Sequence, residues 1–361
     1  MKNVLMASSA IVGAAVLAAS PAAAQELKLS AFQQFFASGG DADVDSSERG
    51  FGFATNTEIH VNGSIMADNG ITFGFRVEIE ADAGEDNNVD ENSIWASGSF
   101  GKLEFGNNDG VEDTFMVNGS NSGVDYGGVG NPTSTFLENV YAGDARTSVD
   151  LRGGVESSDA TKITYTTPSF SGFSLGVSYA PNTAHDGQGN AFSDGDDGGF
   201  HDQVGVALGY EGEFNGVGLE LGLVGAYAKA DDEPEDSAYG IGGGLAVSFS
   251  GFTIAAGAVY DDFDGGDAGG TEGKGWAADL GIGYAAGPWN FSVNGIYSED
   301  DESDDELLAG SANVGYNLAP GVTVFVAGFV GQEDYGDATE ADTGEDENTI
   351  IGVTSGLKLA F

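Results

Sequence analysis

Residues 349–361 read TIIGVTSGLKLAF, and their side chains alternate. Thr349, Ile351, Val353, Ser355, Leu357, Leu359 and Phe361 form one set, and Ile350, Gly352, Thr354, Gly356, Lys358 and Ala360 form the other. A period of two is a strand, here with one mainly apolar face and one mainly small or polar face. Leu357, Leu359 and Phe361 belong to the apolar face, Gly356 and Lys358 to the opposite one.

The same alternation recurs upstream. Ile71, Phe73, Phe75, Val77 and Ile79 interleave with Thr72, Gly74, Arg76, Glu78 and Glu80. Phe173, Leu175, Val177 and Tyr179 interleave with Ser174, Gly176 and Ser178. Working outward, the pattern predicts sixteen strands near 27–37, 50–63, 71–83, 91–100, 101–107, 161–167, 172–180, 202–213, 216–229, 238–249, 252–262, 274–286, 288–299, 305–318, 321–333 and 347–361. Seven short connectors rich in Gly, Pro and Asn, such as Asn215-Gly216 and Ser250-Gly251, are turn material. They alternate with eight longer loops, several strongly acidic, such as 231–236, 261–273 and 333–347. That arithmetic predicts an all-β fold: a closed sixteen-stranded antiparallel transmembrane β-barrel with both chain ends on the short-turn side. Tyr179, Tyr210, Tyr227, Tyr260, Trp276, Tyr284, Trp289 and Tyr297 cluster at strand ends, as interfacial girdles do. Aromatics filling a sandwich core would sit mid-strand.

The start of the chain agrees with an exported protein. Lys2 precedes an apolar run, Ser20-Pro21 breaks it, and Ala22-Ala23-Ala24 supplies small residues for cleavage before Gln25. Residues 1–24 are therefore expected to be a cleaved signal peptide and 25–361 a single barrel domain. No later stretch is long and apolar enough for a membrane helix. The chain has no Cys, so thiol chemistry, lipidation at Cys and cross-links are excluded. Its 361 residues include 60 Gly, and its formal net charge is −47. Such a charge argues against nucleic acid, whose binding needs Lys and Arg to neutralise phosphates. It is tolerable when the carboxylates lie in solvated loops or hold divalent cations.

One connector stands apart. Residues 107–160 show no clear alternating partner, and a loop of that length is normally functional. In a barrel wide enough to conduct, it can fold inward and narrow the lumen.

Three blocks carry a family resemblance: NGITFG at 69–74, SGSFGKLEFGN at 97–107 and TYTTPSFSGF at 164–173, with GDAR at 143–146 before the last. On these the chain resembles the general-diffusion porins of Gram-negative outer membranes, of the alphaproteobacterial type. The resemblance implies a homotrimer of barrels in the cell outer membrane. Each would be a passive, largely non-specific channel for small hydrophilic solutes and ions, with the third loop folded into the lumen. It also implies that the terminal Phe361 is an assembly signal. In relatives, acids on that loop face a basic cluster on the wall. Here Asp109, Glu112 and Asp113 match the acidic side. The second strand carries Asn56, Glu58 and His60 where relatives place arginines. Arg76, Glu78, Lys102, Arg146 and Arg152 complete the expected constriction. With so few cations the channel is expected to prefer cations.

Other chemistry is thinner. Asp261, Asp262, Asp264 and Asp267 form the densest Gly/Asp run, a candidate structural Ca²⁺ site; no cofactor is required otherwise. The three histidines are His60, His185 and His201, and nothing fixes a Ser beside His60, so no hydrolytic site is expected. The alternatives to a general pore are a solute-specific channel, or a non-conducting barrel whose acidic loops bind Ca²⁺ or lipopolysaccharide.

Overall fold

The structure is a computed structural model that describes residues 25–43, 50–81, 89–124, 145–152, 155–183, 200–230, 237–263 and 273–361. The expected signal peptide, 1–24, lies outside the described residues. Sixteen strands form in chain order: β1 (Gln25–Ala42), β2 (Phe51–Met66), β3 (Thr72–Glu80), β4 (Val89–Gly98), β5 (Gly101–Asn107), β6 (Thr161–Thr166), β7 (Phe173–Asn182) and β8 (Phe200–Phe214), then β9 (Val217–Ala230), β10 (Ser237–Phe249), β11 (Phe252–Phe263), β12 (Gly273–Ala286), β13 (Trp289–Asp300), β14 (Glu306–Ala319), β15 (Val322–Asp334) and β16 (Glu347–Ala360).

Each strand pairs antiparallel with its sequence neighbours, and β16 closes the barrel on β1. The seam is in register from Phe32 opposite Ala360 to Ala42 opposite Ile350. Phe361 continues the ladder, exchanging backbone hydrogen bonds of 2.9 and 3.1 Å with Ala31. Closure leaves no unpaired edge, which the hydrocarbon of a membrane demands. The first strand runs five residues past its expected end at 37. Gly39 and Gly40 read as a breaker, yet Gly39 is paired on both sides, with Val353 and with Phe51.

The short turns fit their residues. At Asn215-Gly216 and Ser250-Gly251 both central φ angles are positive, at 52°, 81°, 50° and 85°. That is the two-residue hairpin whose twist matches the strands, and Asn and Gly adopt it at the least cost. Alternation then sorts the faces. Leu175, Val206, Leu223, Ile241, Leu280, Val293, Leu308, Val330 and Ile351 all point out, with Leu308 61% exposed. A continuous outward apolar band has its partner in lipid, not water. Aromatic pairs flank it, Trp276 with Tyr297 near the long loops and Trp289 with Tyr316 near the short turns.

The largest buried apolar cluster lies inside the barrel. It joins Val149, Leu151 and Val155 of the connector to Val259, Ile296, Leu307, Phe329 and Ile350 of the wall. The interior therefore contains packed chain on one side.

Candidate functional site: a lumen narrowed by its own loop

The connector between β5 and β6 enters the lumen at once. A single turn, α1 (Val111–Thr114), lies against β7, β8 and β9, and a 3₁₀ turn at Gly119–Ser122 lies against β10 to β13. Gly119 N donates to Asp279 Oδ2 at 2.7 Å, and Ser122 Oγ bonds Asn294 Oδ1 at 3.1 Å. The described loop thus hugs the wall from β7 to β13. Its apolar residues share the buried cluster with β14 to β16, and β1 to β5 form the wall opposite.

Glycine makes this seating possible. A Cβ on Gly222 would stand 2.0 Å from the Phe115 carbonyl oxygen; on Gly244, 2.0 Å from that of Val117; on Gly281, 2.1 Å from that of Gly119. These inward positions form a trough in which loop backbone lies directly on strand backbone. No real Cβ tolerates such distances, so Gly281→Val is expected to lift the loop and raise single-channel conductance. An unchanged conductance in a folded variant would contradict the trough.

Two buried polar groups pin the loop. Glu112 is 2% exposed. Its Oε1 accepts from Ser157 N (3.1 Å), Ser157 Oγ (2.7 Å) and Gln203 Nε2 (2.8 Å), and its Oε2 from Ser178 Oγ (2.9 Å). Glu112 was expected to line the pore. Its carboxylate is instead turned into the wall and joins the loop's first turn, its return segment, β7 and β8. Further on, Asp261 is 0% exposed and accepts from Arg152 N at 2.9 Å and Arg152 Nε at 3.1 Å. It also pairs with Arg146, while Arg152 NH1 reaches Asp300 Oδ2 at 2.6 Å. Arg146 and Arg152, expected as lumen cations, are thus spent on wall carboxylates. Burial, and then the like charge of Arg152, pull the Arg146 pKa below its ordinary value.

The same geometry corrects the expected Asp261–Asp267 cation site. Asp261 faces inward to the arginines. Asp262, next along β11, faces outward, 3.0 Å from Tyr239 Oη and 3.8 Å from Lys274 Nζ. Neighbours on a strand point to opposite faces, so the two cannot share an ion. Asp264 and Asp267 lie outside the described residues, as does His185.

On the wall of β2 to β4, Glu58, His60, Arg76, Glu78 and Glu91 come together. His60 Nε2 lies 2.8 Å from Glu58 Oε2 and its Nδ1 3.2 Å from Glu78 Oε1. Arg76 contacts Glu78 and lies 3.5 Å from Glu91 Oε2. Lys102 Nζ is 2.5 Å from Glu104 Oε2. Arg76, Glu91, Lys102, Glu104 and Asp109 line an alcove of about 230 Å³ beside the loop's entry. Among the described residues, three sets hold ligand atoms mutually within 4.8 Å and could accept a cation: Glu58–His60–Glu78, Glu58–Glu80–Asp90 and Glu91–Asp109–Asp159.

The loop itself is acidic. Burial raises Asp109, Asp113, Asp150 and Glu156 above the usual carboxylate range. Asp113 rises to about 7, with Asp109 and Asp150 adding repulsion. Glu156 rises to about 8, with Asp113 the first of its charged neighbours. Asp109 and Asp113 were legible in the sequence. Asp150, Glu156, Gln203 and Lys162 were not. Gln203 alone carried a signal, an amide on a β8 face otherwise built of Gly and Ala; Asp150 and Glu156 lie in the connector, where no period assigns a face.

The chain matches the Gram-negative porin family over residues 7–338. No curated protein matches it. Among solved structures it is similar to an anion-selective porin from Comamonas acidovorans, at 17% identity and a TM-score of 0.60, over 94% of this chain and 100% of that one. It is also similar to a loop-deletion mutant of OmpT, an outer membrane protein of Vibrio cholerae, at 12% identity and a TM-score of 0.60, over 93% and 99%. A mutant of the Rh. blastica porin aligns at 20% identity and a TM-score of 0.57, over 93% and 100%. These identities carry the fold alone. The closed sixteen-stranded barrel, its lipid-facing band, the loop seated in its lumen and the family match together identify the chain as a member of the Gram-negative porin family, an outer-membrane diffusion channel and not an enzyme.

Proposed function

We propose that the channel is a largely non-specific, cation-preferring pore for small hydrophilic solutes and ions, working as a homotrimer after export and cleavage of residues 1–24. The observation that carries the preference is the asymmetry of the constriction. The loop brings Asp109, Asp113, Asp150, Glu156 and Asp159 into the lumen, whereas Arg76 and Lys102 on the facing wall are held by Glu78, Glu91 and Glu104. Rings of carboxylate favour cations. The homotrimer rests on family membership, and cross-linking of the purified protein tests it. Phe361, 65% exposed at the short-turn rim, is taken as the assembly signal, a reading its exposure supports, and its deletion should slow insertion.

Planar-bilayer recording tests the central reading. A large ohmic conductance and a reversal potential of cationic sign are expected in a salt gradient. A barrel that does not conduct would refute the channel, and an anionic reversal potential would refute the selectivity. Acidification sharpens the test. Carboxyls titrating at about 7 and about 8 are charged above those values and neutral below. Cation preference should therefore climb from pH 6 to pH 9, and Asp113→Asn should remove part of the climb.

We also propose association with lipopolysaccharide through divalent cations. Glu299, Glu306, Asp334 and Glu347 stand directly opposite one another across β13, β14, β15 and β16 at the long-loop rim, all on the outward face. Tyr297 Oη donates to Glu306 and the Gln332 amide to Asp334 and Glu347, but these neutral donors leave the like charges in place, and a divalent cation shared with an anionic partner would offset their repulsion. Retention of lipopolysaccharide by the purified protein should fall with chelator and with Glu306→Gln; retention insensitive to both would refute this.

A further inference from the structure

We propose that Lys162 is the positioning residue of the constriction: its ammonium ties the loop's entry strand-end to its exit and so holds the loop across the lumen. The proposal rests on the reading of that loop as the constriction. Lys162 lies on β6 and is 2% exposed. Its Nζ donates to the carbonyl oxygens of Asn108 and of Ser158. Asn108 is the first residue after β5, and Ser158 stands three residues before β6 begins. One ammonium therefore bridges the two stems of the loop. Glu112, Asp109, Asp159 and Glu156 supply the surrounding negative charge.

The neighbouring bonds close the same neck. Thr161 Oγ1 bonds Asn107 Oδ1 at 2.9 Å, where those residues pair in the ladder, and Asn108 Nδ2 reaches Thr164 Oγ1 at 3.4 Å. These are neutral and single. Among the described residues only Lys162 engages both backbone stems from one atom, and charge-assisted bonds are about twice as strong as neutral ones. A point charge with three rotatable donors suits two carbonyls and a carboxylate field, whereas the planar fork of Arg does not.

The sign of the effect separates positioning from simple charge. If Lys162 acted only as a lumen cation, Lys162→Met would make the channel more cation-preferring at unchanged conductance. If it positions the loop, Lys162→Met frees the acids from the passage. Conductance then rises, by roughly twofold for a widened passage, and cation preference falls. Cross-linking is the rescue. The chain has no Cys, so Asn108→Cys with Ser158→Cys in the Lys162→Met background joins the same stems uniquely. The oxidised form should regain native conductance and reversal potential, and reductant added to the bilayer should abolish the rescue within one channel. Should Lys162→Met alone fail to assemble, the oxidised variant is inserted first and reduced in place. A conducting wild type whose Lys162→Met conductance is unchanged, or a cross-link that restores nothing, overturns the proposal. A silent wild type overturns the channel reading instead.

Discussion

Asp261→Ala is expected to cost about 3–5 kcal/mol of folding stability, because it removes one partner from a buried ion network. Asp261 is fully buried against Arg146 and Arg152. Arg152 keeps Asp300 at 2.6 Å, but among the described residues Arg146 keeps carbonyl acceptors alone, those of Asp150 at 3.1 Å and Gly275 at 3.5 Å. A buried guanidinium short of a carboxylate either drags water inward or withdraws, and the segment around Val149 and Leu151 goes with it. Asp262→Asn, one residue on, provides the control. Its partner Lys274 is half-exposed at 3.8 Å, and such pairs contribute about 0–1 kcal/mol. Urea unfolding in lipid, followed by the mobility shift of the folded barrel, measures both. Equal effects at 261 and 262, or a chelator that reproduces the Asp261→Ala loss, would show that the ion network is not what holds the loop.

Glu112→Ala is the second large effect. The substitution leaves Ser157 N and two seryl hydroxyls without their acceptor in a buried interface, and Gln203 Nε2 with the Val155 carbonyl oxygen alone. Each orphaned donor costs about 1–3 kcal/mol, less where a hydroxyl can turn to another partner, so about 3 kcal/mol is a reasonable total. Glu112→Gln keeps one carbonyl oxygen in place and should lose far less. The channel consequence runs opposite to that of a pore-lining acid. A lining carboxylate would alter selectivity without altering pore size. The loss of this anchor should widen the passage, admitting larger sugars in liposome swelling. Selectivity that shifts with an unaltered size limit would return Glu112 to the lumen surface.

The barrel was legible because its signal is repeated and local. Alternation sorts each strand's faces independently, so sixteen segments and their turn residues add up to a count, and a count of short and long connectors implies closure. Even the pairing of the terminal strand with the first follows, since a barrel has no other place for two remaining edges. The inward loop was legible as an excess of length. Its acids at Asp109 and Asp113 were legible as charges beside a glycine.

The roles of individual charges were not. Glu112 and Asp113 are adjacent acids, as are Asp261 and Asp262, and in each pair composition assigns both the same role. The tertiary structure separates them, because consecutive residues on a turn or strand point different ways. One meets Ser178 and Gln203, or Arg146 and Arg152, brought from 66 to 115 residues away. The glycines show the same limit. Their abundance was visible, but only the seated loop reveals that Gly222, Gly244 and Gly281 are the places where a carbonyl must lie within 2.1 Å of a missing Cβ. By itself the sequence determined the barrel, its strand count and which face meets lipid, since these follow from a period of two and the cost of unpaired backbone in hydrocarbon. Only the tertiary structure decided which acids face the passage and which are anchors, since that depends on long-range contacts no local period encodes.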